Sequence, residues 1–156
     1  MSKFDEILNS SDASDALLGE QIDKLMPVVY EVPVSNITVA GGRGTVVSHA
    51  SNHVTFCKQG NHVTVSIYLR FNFTDTTACI VNIMNVIPAD IAPLFNSQAI
   101  TGVGMKYTSD TNIDTIPLVV QCNDDRSLGI YAVGSSVKIN TLNDHSVNIS
   151  GSYICK

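Results

Sequence analysis

From His62 to Phe73 apolar and polar residues alternate without interruption. Val63, Val65, Ile67, Leu69, Phe71 and Phe73 take the odd positions; His62, Thr64, Ser66, Tyr68, Arg70 and Asn72 take the even ones. Side chains of a strand point alternately to its two faces, so this pattern predicts a long β-strand with its odd face on a core. The run before it, His53–Lys58, is set off by Gln59, Gly60 and Asn61. A short glycine-bearing loop between two β-rich runs predicts a hairpin. Six further strands are expected at Ala78–Ile87, Ala99–Tyr107, Ile116–Cys122, Leu128–Val133, Ser136–Asn140 and Ser146–Cys155, joined by Asn, Asp, Gly and Ser turns. The stretch Ala78–Ile87 looks apolar on both faces, with Val81, Ile83 and Ile87 against Ile80, Met84 and Val86. That predicts a strand covered twice, with one sheet packed on a second subunit.

The N-terminal segment has a different period. Leu18, Ile22, Leu25 and Val29 recur at spacings of four, three and four, and Phe4, Ile7 and Ser11 extend the register backwards. This is a short heptad stripe. So short a helix is marginal alone and needs company, and the acids off the stripe favour self-association over docking on the β domain. Pro27 ends the helix near Leu25. Residues 28–48 read as a connector with short extended runs at Val28–Val34, an edge because of Pro33, and Ile37–Ala40. The glycines of Gly41-Gly-Arg-Gly44 lack the lysine and spacing of a phosphate loop and predict a flexible turn.

These elements give a mainly β chain: an antiparallel β-sandwich or barrel, jelly-roll-like or up-and-down, with a short N-terminal α-helical segment. Three regions follow, a helical segment at 1–27, a connector or neck at 28–52 and a β head at 53–156. Composition agrees, being rich in Val, Ile and Thr, which pack well on pleated sheet. Charged residues are only 15%, against roughly 25% in ordinary soluble domains. Part of the surface is therefore expected to be covered by copies or by a partner. Residues 1–31 hold seven acids and two lysines, so the whole net charge of −5 lies there and the body is neutral. No basic surplus exists for a phosphate backbone, and no apolar run approaches the roughly 20 residues of a membrane span. The four cysteines, Cys57, Cys79, Cys122 and Cys155, are widely spaced and expected as free thiols.

Candidate chemistry is sparse. His49 and His53 stand four apart, which on a strand means ~13 Å, too far for one ion, and no metal or other cofactor is expected. Asp124, Asp125 and Arg126 fall in one turn, Asp144 and His145 in another. Adjacent acids rarely aim at one glycosidic bond from the required separation, and no catalytic residue or enzyme activity is expected. Tyr68, Arg70, Tyr107 and Tyr131 suit sugar rings and hydroxyls, with Asp124, Arg126 and His145 as further ligand contacts. Tyr68 and Arg70 equally suit a subunit interface.

The hairpin Phe56-Cys-Lys-Gln-Gly-Asn-His-Val-Thr-Val-Ser66 resembles the K-x-G-N-x-V-x-V-S opening of head domains in bacteriophage receptor-binding and tail-fibre proteins. The loop Ile87–Pro93, bracketed by prolines, is similar to the one after the next strand there, and Val147–Ile154 to the closing strand. The resemblance implies a homotrimer in the virion, at the tail tip or baseplate. Its residues 1–27 would dock on other tail proteins or trimerise, and its β head would bind host cell-wall polysaccharide. The host cytoplasm is then the place of assembly, with no nucleic acid partner and no membrane insertion. A structural virion protein, such as a head fibre or decoration protein without a receptor role, is the alternative. A small jelly-roll enzyme and a trimeric ligand of the tumour-necrosis-factor type are the readings from other classes.

Overall fold

The computed structural model describes residues 15–19, 22, 25–74, 80–109, 112–132 and 145–156. Ten strands run through them: β1 Val28–Glu31, β2 Thr38–Val39, β3 Gly44–Val46, β4 His53–Gln59, β5 His62–Phe73, β6 Ile80–Met84, β7 Gln98–Ser109, β8 Asn112–Cys122, β9 Leu128–Ala132 and β10 His145–Ile154. All their ladders are antiparallel. The chain is mainly β, as its periodicity predicts. The ladders join the strands into one sheet, in the order β1-β4-β5-β10-β7-β8-β9-β6-β2, with β3 beside β4 on the same edge of β5. The sheet curls until β2, at its far end, lies next to β3. Of the sandwich and the barrel that the pattern allows, the described residues form one curled antiparallel sheet with no second sheet stacked on it.

The alternation of β5 works as read. Val63, Val65, Ile67, Leu69 and Phe71 are buried, and they meet Val54 and Phe56 of β4, Val147 and Ile149 of β10 and Val120 of β8 in one core. The β4–β5 loop is tighter than expected, because Gln59 still pairs with His62. Gly60 takes φ +60 at the first of the two remaining positions, where a type II′ hairpin turn requires glycine.

The strand after the hairpin corrects its forecast. Val81 and Ile83 are buried but Asn82 between them is exposed, so β6 has one core face. It stops at Met84, where Asn85 takes φ +60 and turns the chain, so that Val86 and Ile87 both enter the core. Apolar residues at both parities here record a turn rather than a strand covered on two sides. The proline-bracketed loop then closes one end of the sheet, with Ile91 fully buried and its carbonyl accepting from the Tyr153 hydroxyl at 2.8 Å.

The segment read as a connector supplies β1, β2 and β3 to the same sheet. Ile37 is buried, and Tyr30, Val32, Val34, Val39 and Val46 pack against the core. Strand β1 lies at an edge, pairing only with β4. Between β4 and β3, the Asn52 side chain replaces a missing strand residue. The Arg70 N–H donates to Asn52 Oδ1 at 3.1 Å, Asn52 Nδ2 donates to the Val47 carbonyl at 2.7 Å, and the Val47 N–H donates to the Arg70 carbonyl at 2.8 Å. Gln98 repeats the device at the end of β10: its Nε2 donates to the Ile154 carbonyl at 2.6 Å, and the Ile154 N–H donates to its Oε1 at 2.9 Å.

Residues 15–19, 22 and 25 are helical, and Leu18, Ile22 and Leu25 of the heptad stripe are 61, 52 and 62% exposed. Val29, the last member of that stripe, belongs to β1 instead. The expected strand Ser136–Asn140 and the positions Phe4, Ile7, Ser11, Cys79 and Asp144 lie outside the described residues.

Candidate functional site

The residues singled out from the sequence are spread over several strands of the sheet. Tyr68 and Arg70 lie on the outer face of β5, while Tyr131 lies on β9. Three strands intervene, which at the usual strand spacing separates them by ~19 Å. Asp124 and Arg126 belong to the β8–β9 turn, with Tyr131 further along β9. His145 opens β10 opposite Phe71 and Lys106, one strand from β5, and Tyr107 stands on β7 opposite Ile113, midway between β5 and β9. Tyr68 and Arg70 therefore stand apart from Asp124, Arg126 and Tyr131.

Each group is shaped by local contacts. His53 stands opposite Tyr68, and the rings stack with centroids 6.3 Å apart and planes 18° from parallel. One His53 nitrogen, Nδ1, lies 3.0 Å from the Ser51 carbonyl, and Nε2 lies 3.3 Å from Ser66 Oγ. A carbonyl only accepts, so Nδ1 carries the proton of the neutral ring and Nε2 accepts from the serine. Arg70 is half-buried beside the fully buried Ser146.

In the β8–β9 turn Asp125 is occupied, as Oδ1 accepts from the Ser127 N–H at 3.0 Å and from Ser127 Oγ at 2.6 Å. Asp124 and Arg126 are exposed, Arg126 with φ +68. This is a self-bonded Asx turn, as its composition predicts. Tyr131 crosses its cross-strand neighbourhood to donate to Gln121 Oε1 at 2.8 Å. Its ring passes over Gly129, where a Cβ would stand only 3.0 Å from the ring edge.

Between these groups the outer face carries the rows Ser150–Thr101–Val119 and Asn148–Val103–Pro117, all exposed and none charged. Val103 and Val119 are 42 and 38% exposed. Three hydroxyls on this face are engaged: Thr101 Oγ1 donates to the Ser150 carbonyl, Thr64 Oγ1 to the Cys57 carbonyl, and Ser66 to His53.

Sequence reasoning missed an open concavity. An open groove of about 700 Å³ lies where the curled sheet brings β2 beside β3, between residues 34–39 and residues 44–49 with Asn52. Its apolar floor includes Val34, Val39 and Val46, which pack on the core, and its rim carries Ser35, Thr38, Thr45, Ser48 and His49. His49 Nδ1 accepts from the Ser51 N–H at 3.1 Å. The signal in the sequence was a Ser/Thr scatter flanking the glycine turn, which has no period of its own.

Cys57 is half-buried and Cys122 and Cys155 are buried, all three free thiols. Burial pushes the Cys122 thiol up from its ordinary value of 9.0 to about 12. Burial also raises Tyr153, helped by the neighbouring Cys122 and Cys155. Among the described residues no three His, Cys, Asp or Glu side chains group to hold a metal, and no helix is long and apolar enough to cross a membrane. No protein-family model matches the chain, and no curated protein is detectably similar to it.

Proposed function

We propose that this is a receptor-binding protein of a phage tail or baseplate, a homotrimer whose β head adheres to host-surface saccharide without catalysing a reaction. The observation that carries the reading is the charge distribution on the fold. The acidic surplus lies in the N-terminal segment, whose apolar stripe is exposed on the single chain, and the sheet beyond it presents uncharged rows. An exposed heptad stripe suits a bundle of identical helices. The uncharged rows of hydroxyls, amides and small apolar groups on the outer face of the sheet suit neutral polysaccharide and neighbouring copies. Modest affinity per head is then multiplied by several heads acting together. The resemblance of the β4–β5 hairpin and the proline-bracketed loop to phage head domains supplies the biological setting.

Light scattering at micromolar concentration gives the mass of three chains on this reading; a monomer sinks the trimer. An array of neutral and acidic oligosaccharides retains the protein if it is an adhesin. A protein that incorporates into particles yet binds neither array nor host cells is a decoration protein instead.

A further inference from the structure

We propose that the groove between β2 and β3 is the saccharide site, and that its ligand is a neutral sugar unit. The inference rests on the adhesin reading above and adds the place and the ligand class. At about 700 Å³ the groove is the size of a small-molecule site, which typically spans roughly 300–1,000 Å³. Its lining contains no Lys, Arg, Asp or Glu, so a charged sugar would lose water without gaining a partner.

The groove gathers unengaged hydroxyls around an apolar floor, whereas the outer face commits several of its own to protein partners. Thr64, Ser66 and Thr101 on the outer face already spend their hydroxyls on protein partners. The four hydroxyls of Ser35, Thr38, Thr45 and Ser48 make no hydrogen bond among the described residues. Each offers one donor and two acceptor positions, the match for a sugar hydroxyl. His49 adds a fixed donor: with Nδ1 accepting from Ser51, the proton of the neutral ring sits on Nε2. The valine floor receives the C–H face of the ring. Both walls are held by the fold, β2 by its ladder to β6 and β3 by its ladder to β5, and the Asn52 amide pins the loop that carries Ser48 and His49. Such pre-organisation limits the ordering cost of binding.

The test is the full chain on an array of neutral and acidic oligosaccharides, followed by titration of the best ligand. The double variant Thr38→Val with Thr45→Val removes two groove hydroxyls at nearly constant shape. It is expected to bind at least tenfold more weakly while melting at the wild-type temperature. Thr64→Val, which removes a hydroxyl outside the groove, is expected to bind as wild type. If the double variant melts early, Ser48→Ala and His49→Ala, both on the exposed loop, carry the same test. Groove variants binding within twofold of wild type overturn the site, and an acidic sugar as the best ligand overturns the ligand class. A wild-type protein that binds nothing on the array overturns the adhesin reading itself.

Discussion

Asn52 shows how much a single side chain contributes when it stands in for backbone. Its amide satisfies the Arg70 N–H and the Val47 carbonyl on a partly buried sheet edge. Removing it leaves both groups without that partner, and an unsatisfied group of this kind typically costs about 1–3 kcal/mol. Asn52→Ala is therefore expected to lower the denaturation midpoint by an amount in that range. Asn52→Asp keeps the acceptor for Arg70 but sets a carboxylate against the Val47 carbonyl, so it should recover little. Recovery to wild-type stability in Asn52→Asp would show that only the Arg70 bond matters. Titration of the core gives a second expectation. Cys122 holds its proton up to about 12 in the fold against an ordinary 9.0, so above pH 9 the unfolded chain releases a proton that the folded chain keeps. Stability is then full below pH 9 and falls as pH rises toward 12, by ~1.4 kcal/mol per pH unit for this one group. Tyr153, also raised, acts in the same direction at the alkaline end. Urea unfolding between pH 8 and 11 checks the slope, and Cys122→Ala should flatten it; an unchanged slope would place the titration elsewhere.

The elements divide by how much of their pattern is local. Strand β5 was legible because twelve residues repeat one rule, and β4, β7, β9 and β10 because each exceeds four residues with a clear core face. Strand β2 falls within the run Ile37–Ala40 read as extended, but neither it nor β3, of two and three residues, carries a periodicity that names its partner. Only their ladders to β6 and β5 make them strands. That is why the groove they form was invisible while the solvated turn at Asp124 and Arg126 drew notice. Residue type alone flagged Tyr68 and Tyr131, and it missed that stacking on His53 and bonding to Gln121 already occupy them. At the same scale the helical stripe yields a direct expectation. Leu18 and Ile22 are more than half exposed on the single chain, so charging them costs the fold nothing but breaks an apolar bundle seam. If the chain trimerises as proposed, Leu18→Glu with Ile22→Glu should reduce the mass in light scattering from three chains to one and leave the melting temperature of the sheet unchanged. Persistence of the trimer would move its interface to the outer face of the sheet.

At the scale of the molecule, the N-terminal strands bracket the sheet rather than lead up to it. Strands β1 and β2 are successive in the chain, yet they occupy the two ends of the sheet, β1 against β4 and β2 against β6. Strand β3 then fills the edge of β5 beyond β4. Residues 28–46 thus cover both margins of the remaining strands, and they add Ile37 and the flanks of Tyr30, Val32, Val34, Val39 and Val46 to the core. Cutting the chain at 53, where the sequence places the start of the head, would uncover the β4 and β6 edges together and open one side of the core. Exposed edges of this kind pair with other chains. A fragment of residues 53–156 is expected to aggregate on expression. A fragment of residues 27–156, which keeps every strand and loses only the helical stripe, should remain soluble, melt cooperatively and scatter as a single chain. Melting curves of the two fragments decide the matter: a cooperative transition for 53–156 at the temperature of the longer fragment would mean that β1, β2 and β3 are trim on an autonomous head. Its absence would make them part of the fold, and the groove between β2 and β3 a feature the head cannot possess without them.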